Sequence, residues 1–505
     1  MKNIFLLLFF IKTTVVVSQA GSFDTTYDGD GKAFYCFAQN QSYATLDASF
    51  QSTGKIIAYS NNYNTVGASL LRWNANGTLD TSFGTNGFVN FTLSFPFING
   101  GYYPYRMAIQ SDDKIIIMGT QQNNTFPNAY WVARLLPDGA LDTTFNGTGY
   151  KDVSFGTIQD RGTCVALQAD GKILLGGTSG NTAEFFTVAR LNSNGTLDSA
   201  FGNGGKAQIS FNGAQSFVQS MAVQLDGKIV LGGWTALGAK DFALARVTSN
   251  GTLDTSFGTN GKVITTLNYN YSDLITDLVI EPNGKIIAGG CTSSENNPWM
   301  CMVRYTSNGT VDTTFGTNGV VMNYDDNSRN CTIARQVDGK IIMGGCYDGI
   351  YFLTIRYNSN GTKDTTFGNN GVVNLFPNTY GTAIKALIQP DNKIVVCGGT
   401  VSADFTQGCF TVIRLNAGTL GVDEFENDNV VVYPNPTSGI VSYDNSESAF
   451  EKVGIYNYLG QEVMNSSFFG MGNNPMINLS GLSNGVYLLR FEGNGKSGMA
   501  KVVKK

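Results

Sequence analysis

Apolar residues run along this chain in groups of four to seven, rich in Val, Ile, Phe and Tyr, and each group is bounded by Gly, Asn or Asp. No stretch keeps a helical period for three turns, so the pattern predicts strands throughout. Residues 196–251 show the grammar most clearly. Thr196-Leu-Asp-Ser-Ala-Phe-Gly-Asn-Gly-Gly205 is followed by apolar runs at 206–211, 219–224, 229–233 and 242–247. Asp226-Gly227, just ahead of Lys228, is a two-residue hairpin signal that joins the second of these runs to the third. Each unit therefore predicts about four short antiparallel strands.

The unit is written out seven times. The Asp of Leu-Asp-x-x-Phe-Gly-x-x-Gly stands at Asp24, Asp80, Asp142, Asp198, Asp254, Asp312 and Asp364, at spacings of 56, 62, 56, 56, 58 and 52 residues. A lysine recurs at Lys55, Lys114, Lys172, Lys228, Lys285, Lys340 and Lys393, and an arginine at Arg72, Arg134, Arg190, Arg246, Arg304, Arg356 and Arg414. A period near 56 residues is too long for a β-helix coil and suits a four-stranded propeller blade. The reading is all-β, a seven-bladed β-propeller over residues 21–420. Its ends complement each other: the first copy begins at Ser22 with no Arg strand before it, and the last supplies Arg414 to Leu420 and stops. Joining the halves predicts a closed ring with no free edge.

The grammar changes after Leu420. Residues 421–429 are acidic and polar and read as a linker. Residues 430–505 read as a small C-terminal β-sandwich of about seven strands with a Pro-rich entry turn, Tyr433-Pro434-Asn435-Pro436-Thr437-Ser438-Gly439. At the other end, Lys2, the apolar Ile4 to Ile11, and Ser18-Gln19-Ala20 read as a signal peptide over 1–20, with the mature chain expected near Gly21. Lys12 interrupts that run, which is too short to span a membrane, and no transmembrane segment is expected in the mature chain.

Composition narrows the chemistry. The net charge of -5 and the lack of any Lys/Arg cluster longer than the terminal Lys501-Val-Val-Lys504-Lys505 exclude the basic footprint of a nucleic-acid partner. With no histidine, the commonest general base and zinc ligand are missing. Eight cysteines are too few for a disulfide scaffold. Cys291/Cys301 and Cys397/Cys409 lie on strands expected to pair, so cross-strand bridges and buried thiols both stay open.

A site needed once is not normally written seven times, so the repeated Asp and Arg are expected to cap turns and tie strands. The motif aromatic (Tyr27, Phe83, Phe145, Phe201, Phe257, Phe315, Phe367) is expected to anchor blade against blade. No cofactor is expected; calcium is the one ion weighed, at Asp24, Asp28 and Asp30, and the distal Glu of an EF-hand loop is lacking. Departures from the repeat are better candidates for function. The largest insertion, Phe91 to Tyr105, carries Tyr102, Tyr103 and Tyr105, and the fifth copy has Tyr269 and Tyr271 at the matching point. These form a candidate rim for a glycan or surface-protein ligand, weighed against a purely local hydrophobic cluster. Acids outside the repeat, Glu184, Asp241, Glu281 and Glu295, sit singly, whereas glycoside chemistry needs a carboxylate pair.

Leu-Asp-x-x-Phe-Gly-x-x-Gly, Gln-x-Asp-Gly-Lys-Ile-x-x-Gly-Gly and Ala-Arg-Leu-Asn together resemble the delta-60 repeat, a bacterial β-propeller repeat family, over about 22–418. The resemblance implies a propeller and no activity. Tyr433-Pro-Asn-Pro-Thr-Ser-Gly439, Val453 to Gly460, Leu482 to Leu488 and Lys501-Val-Val-Lys-Lys505 resemble the type A C-terminal sorting domain of the type IX secretion system. That likeness implies a member of the Bacteroidetes group, exported through the periplasm by type IX machinery, then secreted or anchored at the outer surface. Two functions are expected from this: a non-enzymatic binding or adhesion propeller, or an extracellular carboxylate-dependent enzyme acting on polysaccharide.

Overall fold

The computed structural model describes residues 19–36, 43–62, 68–91, 106–121, 128–267, 271–293, 298–324, 331–347, 351–375, 380–401, 408–418, 428–443, 450, 452–457, 462–466, 475–493 and 496–505. The chain divides into two compact units, Met1–Gly418 and Thr419–Lys505. All regular elements among the described residues are strands, apart from one 3-10 turn at Phe145–Gly147.

The first unit is a ring of seven four-stranded antiparallel sheets, here blades I to VII. Blade IV is representative, with strands Ser216–Val223, Ile229–Ala236, Lys240–Val247 and Lys262–Thr265 paired in chain order. The hairpin between its first two strands turns at Gly227, whose φ of 80° is cheap only for residues tolerant of the left-handed region. Asp113 (φ 63°) and Asn392 (φ 67°) fill the same place in blades II and VII. The second and third strands are buried almost throughout because a neighbouring blade covers each face, which is why they read as continuous apolar runs. The fourth strand is only half-buried. The first strands of successive blades lie against one another and form the inner wall.

Blade VII is completed by the two ends of the propeller. Tyr380–Ile388, Ile394–Val401 and Gly408–Leu415 come from the end, and the fourth strand, Lys32–Cys36, from the beginning. The expected closure is thus made by strand pairing, from Lys32 opposite Ile413 to Cys36 opposite Cys409. A disulfide links Cys36 to Cys409. This corrects the pairings considered from the sequence. Cys291 stands opposite Met300, so Cys301, one residue further on, faces the other side of the sheet, and Cys397 stands opposite Val412, away from Cys409. The other six cysteines are buried thiols.

The second unit packs a five-stranded sheet (428–429, 452–457, 462–466, 485–493 and 496–504) and a three-stranded sheet (432–433, 440–443 and 476–478) around Val441, Tyr443, Ile455, Leu489 and Phe491.

Candidate functional site

The repeated residues converge at the joints between blades, in one geometry used seven times. In blade IV, Arg246 Nε donates to Asp254 Oδ2 at 2.9 Å and Lys228 Nζ lies 3.3 Å from the same oxygen. The backbone N–H and hydroxyl of Ser256 donate to Oδ1 at 3.2 and 2.6 Å. The other arm of Arg246 crosses to the Ser307 carbonyl of blade V. The Gly258 N–H crosses alongside it to the Asn308 carbonyl, at 2.7 Å. The guanidinium lies 4.6 Å from the Phe257 ring centroid. Across the seven blades the Arg Nε to Asp Oδ2 distance is 2.7–2.9 Å. Every motif aromatic is fully buried. Burial raises the Asp254 carboxyl, but hydrogen bonds from Ser256 and pairing with Arg246 and Lys228 outweigh it and leave the group at about 2. Asp24 and Asp364 are likewise held at about 2. The constellation is mechanical: each charge is satisfied by another member of the joint.

These joints all lie at one end of the blades, where the first strand turns into the second and the third into the fourth. At the opposite end the second strand runs to the third, and each fourth strand passes to the next blade. Several departures from the repeat among the described residues fall there. Tyr102, Tyr103, Tyr105, Tyr269 and Glu295 lie outside the described residues. Tyr271, half-buried, packs on Trp299 with centroids 5.9 Å apart. Trp299 in turn meets Tyr324 edge-on at 5.5 Å, and Tyr324 is 67 % exposed. Sequence reasoning named only the first of these three. The signal was available: Trp299 and Tyr324 stand where blade IV has Asp241 and Thr266. In blade IV itself Phe217 stacks on Trp234 at 5.7 Å and 6°, with Lys240 Nζ 4.3 Å from the Trp234 ring.

Among the described residues, the acids singled out from the sequence lie on separate blades. On blade III, Glu184 is 3.4 Å from Arg161 Nε and accepts from Gln215 at 3.2 Å. Asp241, on blade IV, is buried, and its Oδ1 has no hydrogen-bond partner among the described residues. Glu281 is not outside the repeat, and does not sit singly. It occupies the place of Gln224 in blade V and faces Arg335 of blade VI at 3.5 Å and Arg304 at 4.0 Å. Where Gln224 sends its amide to Gly284 O of the next blade at 3.3 Å, this joint uses an ion pair. Of the three acids weighed for calcium, Asp24 binds Lys393 and Arg414, both at 2.7 Å. Asp30 accepts from the Lys32 N–H at 3.0 Å, and Asp28 has its carboxyl raised by burial and by Asp30.

The inner wall carries charges the sequence reading passed over. Just after the bulge in the first strand stand Asp47, Cys164, Ser220, Asp277 and Lys385 in blades I, III, IV, V and VII. Asp47 accepts from the Met107 N–H of the next blade at 2.8 Å. Asp277 accepts from Thr332 Oγ1 and the Ile333 N–H at 3.1 and 3.2 Å, and Lys385 Nζ reaches it across blade VI at 3.5 Å.

In the second unit the predicted turn clamps the chain terminus. Asn435 Nδ2 donates to the Lys501 carbonyl at 2.6 Å and Asn435 Oδ1 accepts from the Val503 N–H at 2.9 Å. Thr437 N–H donates to Val503 O at 2.8 Å, and Lys505 N–H to Thr437 O at 2.9 Å. Gly439 lies so close to Ser480 that a Cβ would stand 2.5 Å from its hydroxyl. Tyr433 is 45 % exposed, and both Pro434 and Pro436 follow cis peptide bonds.

Comparison with known proteins agrees with this division. Residues 431–505 match the secretion system C-terminal sorting domain. Seven segments, 51–83, 110–145, 168–201, 224–257, 281–315, 336–367 and 389–418, match a β-propeller domain of unknown function. No curated protein matches. Similar solved structures include a protein of unknown function from Dyadobacter fermentans DSM 18053, at 12 % identity and TM-score 0.43, covering 76 % of this chain and 100 % of that one. The polysaccharide lyase PL25 ulvan lyase bound to -[GlcA(1-4)Rha3S]- is similar at 12 % identity and TM-score 0.49, covering 76 % and 96 %. The polysaccharide lyase Uly1 is similar at 13 % and 0.43, covering 74 % and 90 %.

Proposed function

Starting from a chain that carries seven β-propeller repeats and ends in a type IX sorting domain, which directs it to the cell surface or the medium, we propose that it is a binding or adhesion module for an extracellular glycan. Its leader takes it into the periplasm, and the sorting domain takes it across the outer membrane. The glycan packs on Tyr271, Trp299 and Tyr324 at the variable end of blade V. The observation that carries this is the exposure of Tyr324 beside Trp299. An aromatic pair left in water at 67 % exposure of one ring offers the flat apolar surface that a sugar's C–H face covers. A glycan array probed with the mature protein and with the Trp299→Ala, Tyr324→Ala double variant tests it. Binding that the double variant loses supports the reading; no binding, or equal binding by both, sinks it. The enzymatic alternative draws on Asp47 and Asp277 of the inner wall. It requires polysaccharide cleavage that disappears in Asp277→Asn while glycan binding survives.

A further inference from the structure

The closing joint bears on where the leader is removed. In each of the six uninterrupted joints one turn runs through Asn-x-Asn-Gly-Thr or a close variant. In blade III it is Asn192-Ser193-Asn194-Gly195-Thr196. There the Asn192 N–H donates to Thr196 O at 2.8 Å and Gly195 N–H to Asn192 O at 2.9 Å. Asn194 O accepts from the Asn146 N–H of the preceding blade at 2.7 Å. Asn194 Oδ1 accepts from the N–H and hydroxyl of Thr196, at 3.0 and 2.7 Å.

Blade VII builds the same turn from two chain ends. Asn416 N–H donates to Ser22 O at 2.9 Å and Gly21 N–H to Asn416 O at 2.8 Å, so Ser22 stands for Thr196 and Gly21 for Gly195. Ala20 stands for Asn194: its carbonyl accepts from the Gly368 N–H of blade VI at 2.8 Å. Alanine lacks the amide oxygen, and the Gln19 carbonyl replaces it, accepting from Ser22 N–H at 3.0 Å and Ser22 Oγ at 2.7 Å. Gln19 Nε2 adds a bond to Gly368 O at 3.3 Å. Gly21 has φ 79° and approaches Gly368 N to within 2.6 Å of where a Cβ would be, as Gly251 does at Gly202.

A cut after Ala20 would remove both carbonyls and the amide, and would place a charged amine where Gly21 N–H serves as a neutral donor. We infer that the leader is removed by hydrolysis of the Ser18–Gln19 bond, so that the mature chain begins with Gln19 and its first two residues close the ring. Water adds across this amide: the Ser18 carbonyl carbon takes the hydroxyl and the Gln19 nitrogen the proton. Ser18 and Val16 then occupy the positions next to and third from the cut, and the small residue stands at the cut itself. The inference rests on the reading of the N-terminal stretch as a leader, and moves its end from Ala20 to Ser18.

The test is the mass of the N-terminal peptide of the full chain expressed in an export-competent cell, read by mass spectrometry because an N-terminal glutamine can cyclise and block chemical sequencing. A peptide starting at Gln19 supports the site. One starting at Gly21 overturns it while keeping the leader, and an intact Met1 start overturns both. Independently, chains beginning at Gln19 and at Gly21, freed from a cleavable fusion partner, are compared by thermal unfolding. A downward Tm shift for the Gly21 chain is expected, and equal Tm values overturn the role given to Gln19 and Ala20.

Discussion

Replacing Cys36 and Cys409 together by serine removes the disulfide that ties the first strand of the propeller to the last, with a sequence separation of 373 residues. Loop-closure entropy for a loop of that length, −2.1 − 1.5R ln n, gives about 20 cal/mol/K, or about 6 kcal/mol at 25 °C, as the ceiling on its effect; removal of native bridges more often costs about 2–5 kcal/mol. Little of this should come from native packing, because Cys36 is exposed and Cys409 half-buried, so serine leaves no cavity. The strand pairing from Lys32 to Cys36 and the ion pairs of Asp24 remain in place. The loss should therefore arise in the unfolded chain, which expands once the loop is opened. Guanidinium unfolding followed by tryptophan fluorescence separates the two origins. The double variant should show a lower midpoint together with a steeper m-value, since more surface is exposed when an unbridged chain unfolds. An unchanged midpoint, in protein whose oxidised mass confirms the bridge in the parent chain, would refute the entropic argument. A lower midpoint with unchanged m would move the effect into the native state.

Arg246→Ala leaves Asp254 buried with one cation fewer and Ser307 O without its donor, and should cost about 3–5 kcal/mol; Arg246→Lys should recover little, because an ammonium cannot serve both acceptors. Chemical denaturation of both variants checks this, and a loss under about 1 kcal/mol for Arg246→Ala would remove the joint from the stability argument. Gly251→Ala forces a φ of 86° and a Cβ within 2.6 Å of Gly202 N, and should lower stability by more than about 1 kcal/mol, whereas Gly238→Ala, with nothing within 4 Å, should stay within about 0.5 kcal/mol. On acidification, Asp24, Asp254 and Asp364, held at about 2 against an ordinary 3.8, contribute stability that is fully present above about pH 4 and lost as pH falls through about 2. Tm should hold level from pH 7 to 5 and then drop; a Tm that rises below pH 4 would contradict the sign.

The fold was legible because the sequence repeats its own geometry. Asp, Arg, Lys and Phe recur at one period, and a residue that must dock seven blades alike has to be written seven times. The closure was legible for the same reason: Ser22 to Asp24 and Arg414 to Asn416 are two halves of one turn. The bridge from Cys36 to Cys409 was not, because register within a strand pair is set by hydrogen bonding that composition does not record. Likewise, a repeat alignment finds what blades share, so Trp299 and Tyr324, which blade V does not share with its neighbours, escaped notice. Glu281 misled in the opposite way. Read alone it is a stray acid, but beside Arg335 it replaces the Gln that crosses to the next blade elsewhere.

The two ends of the ring are therefore under different physical constraints. At the joint end every blade presents a buried carboxylate, a crossing guanidinium and a glycine pressed against the preceding blade, so a change at one position leaves a charge or a carbonyl unpaired. A ligand there would have to displace bonds that hold the ring shut. At the opposite end the connections carry none of the motif, and blades III, IV and V already differ: an Arg161–Glu184 ion pair, a Phe217–Trp234–Lys240 stack and the Tyr271–Trp299–Tyr324 cluster stand at corresponding ends. Such residues can change without disturbing a joint, which makes this end the surface on which recognition can vary while the ring stays constant. The Gln19–Gly21 segment belongs to the constrained end, so leader removal and blade closure meet at a joint, away from the ligand surface.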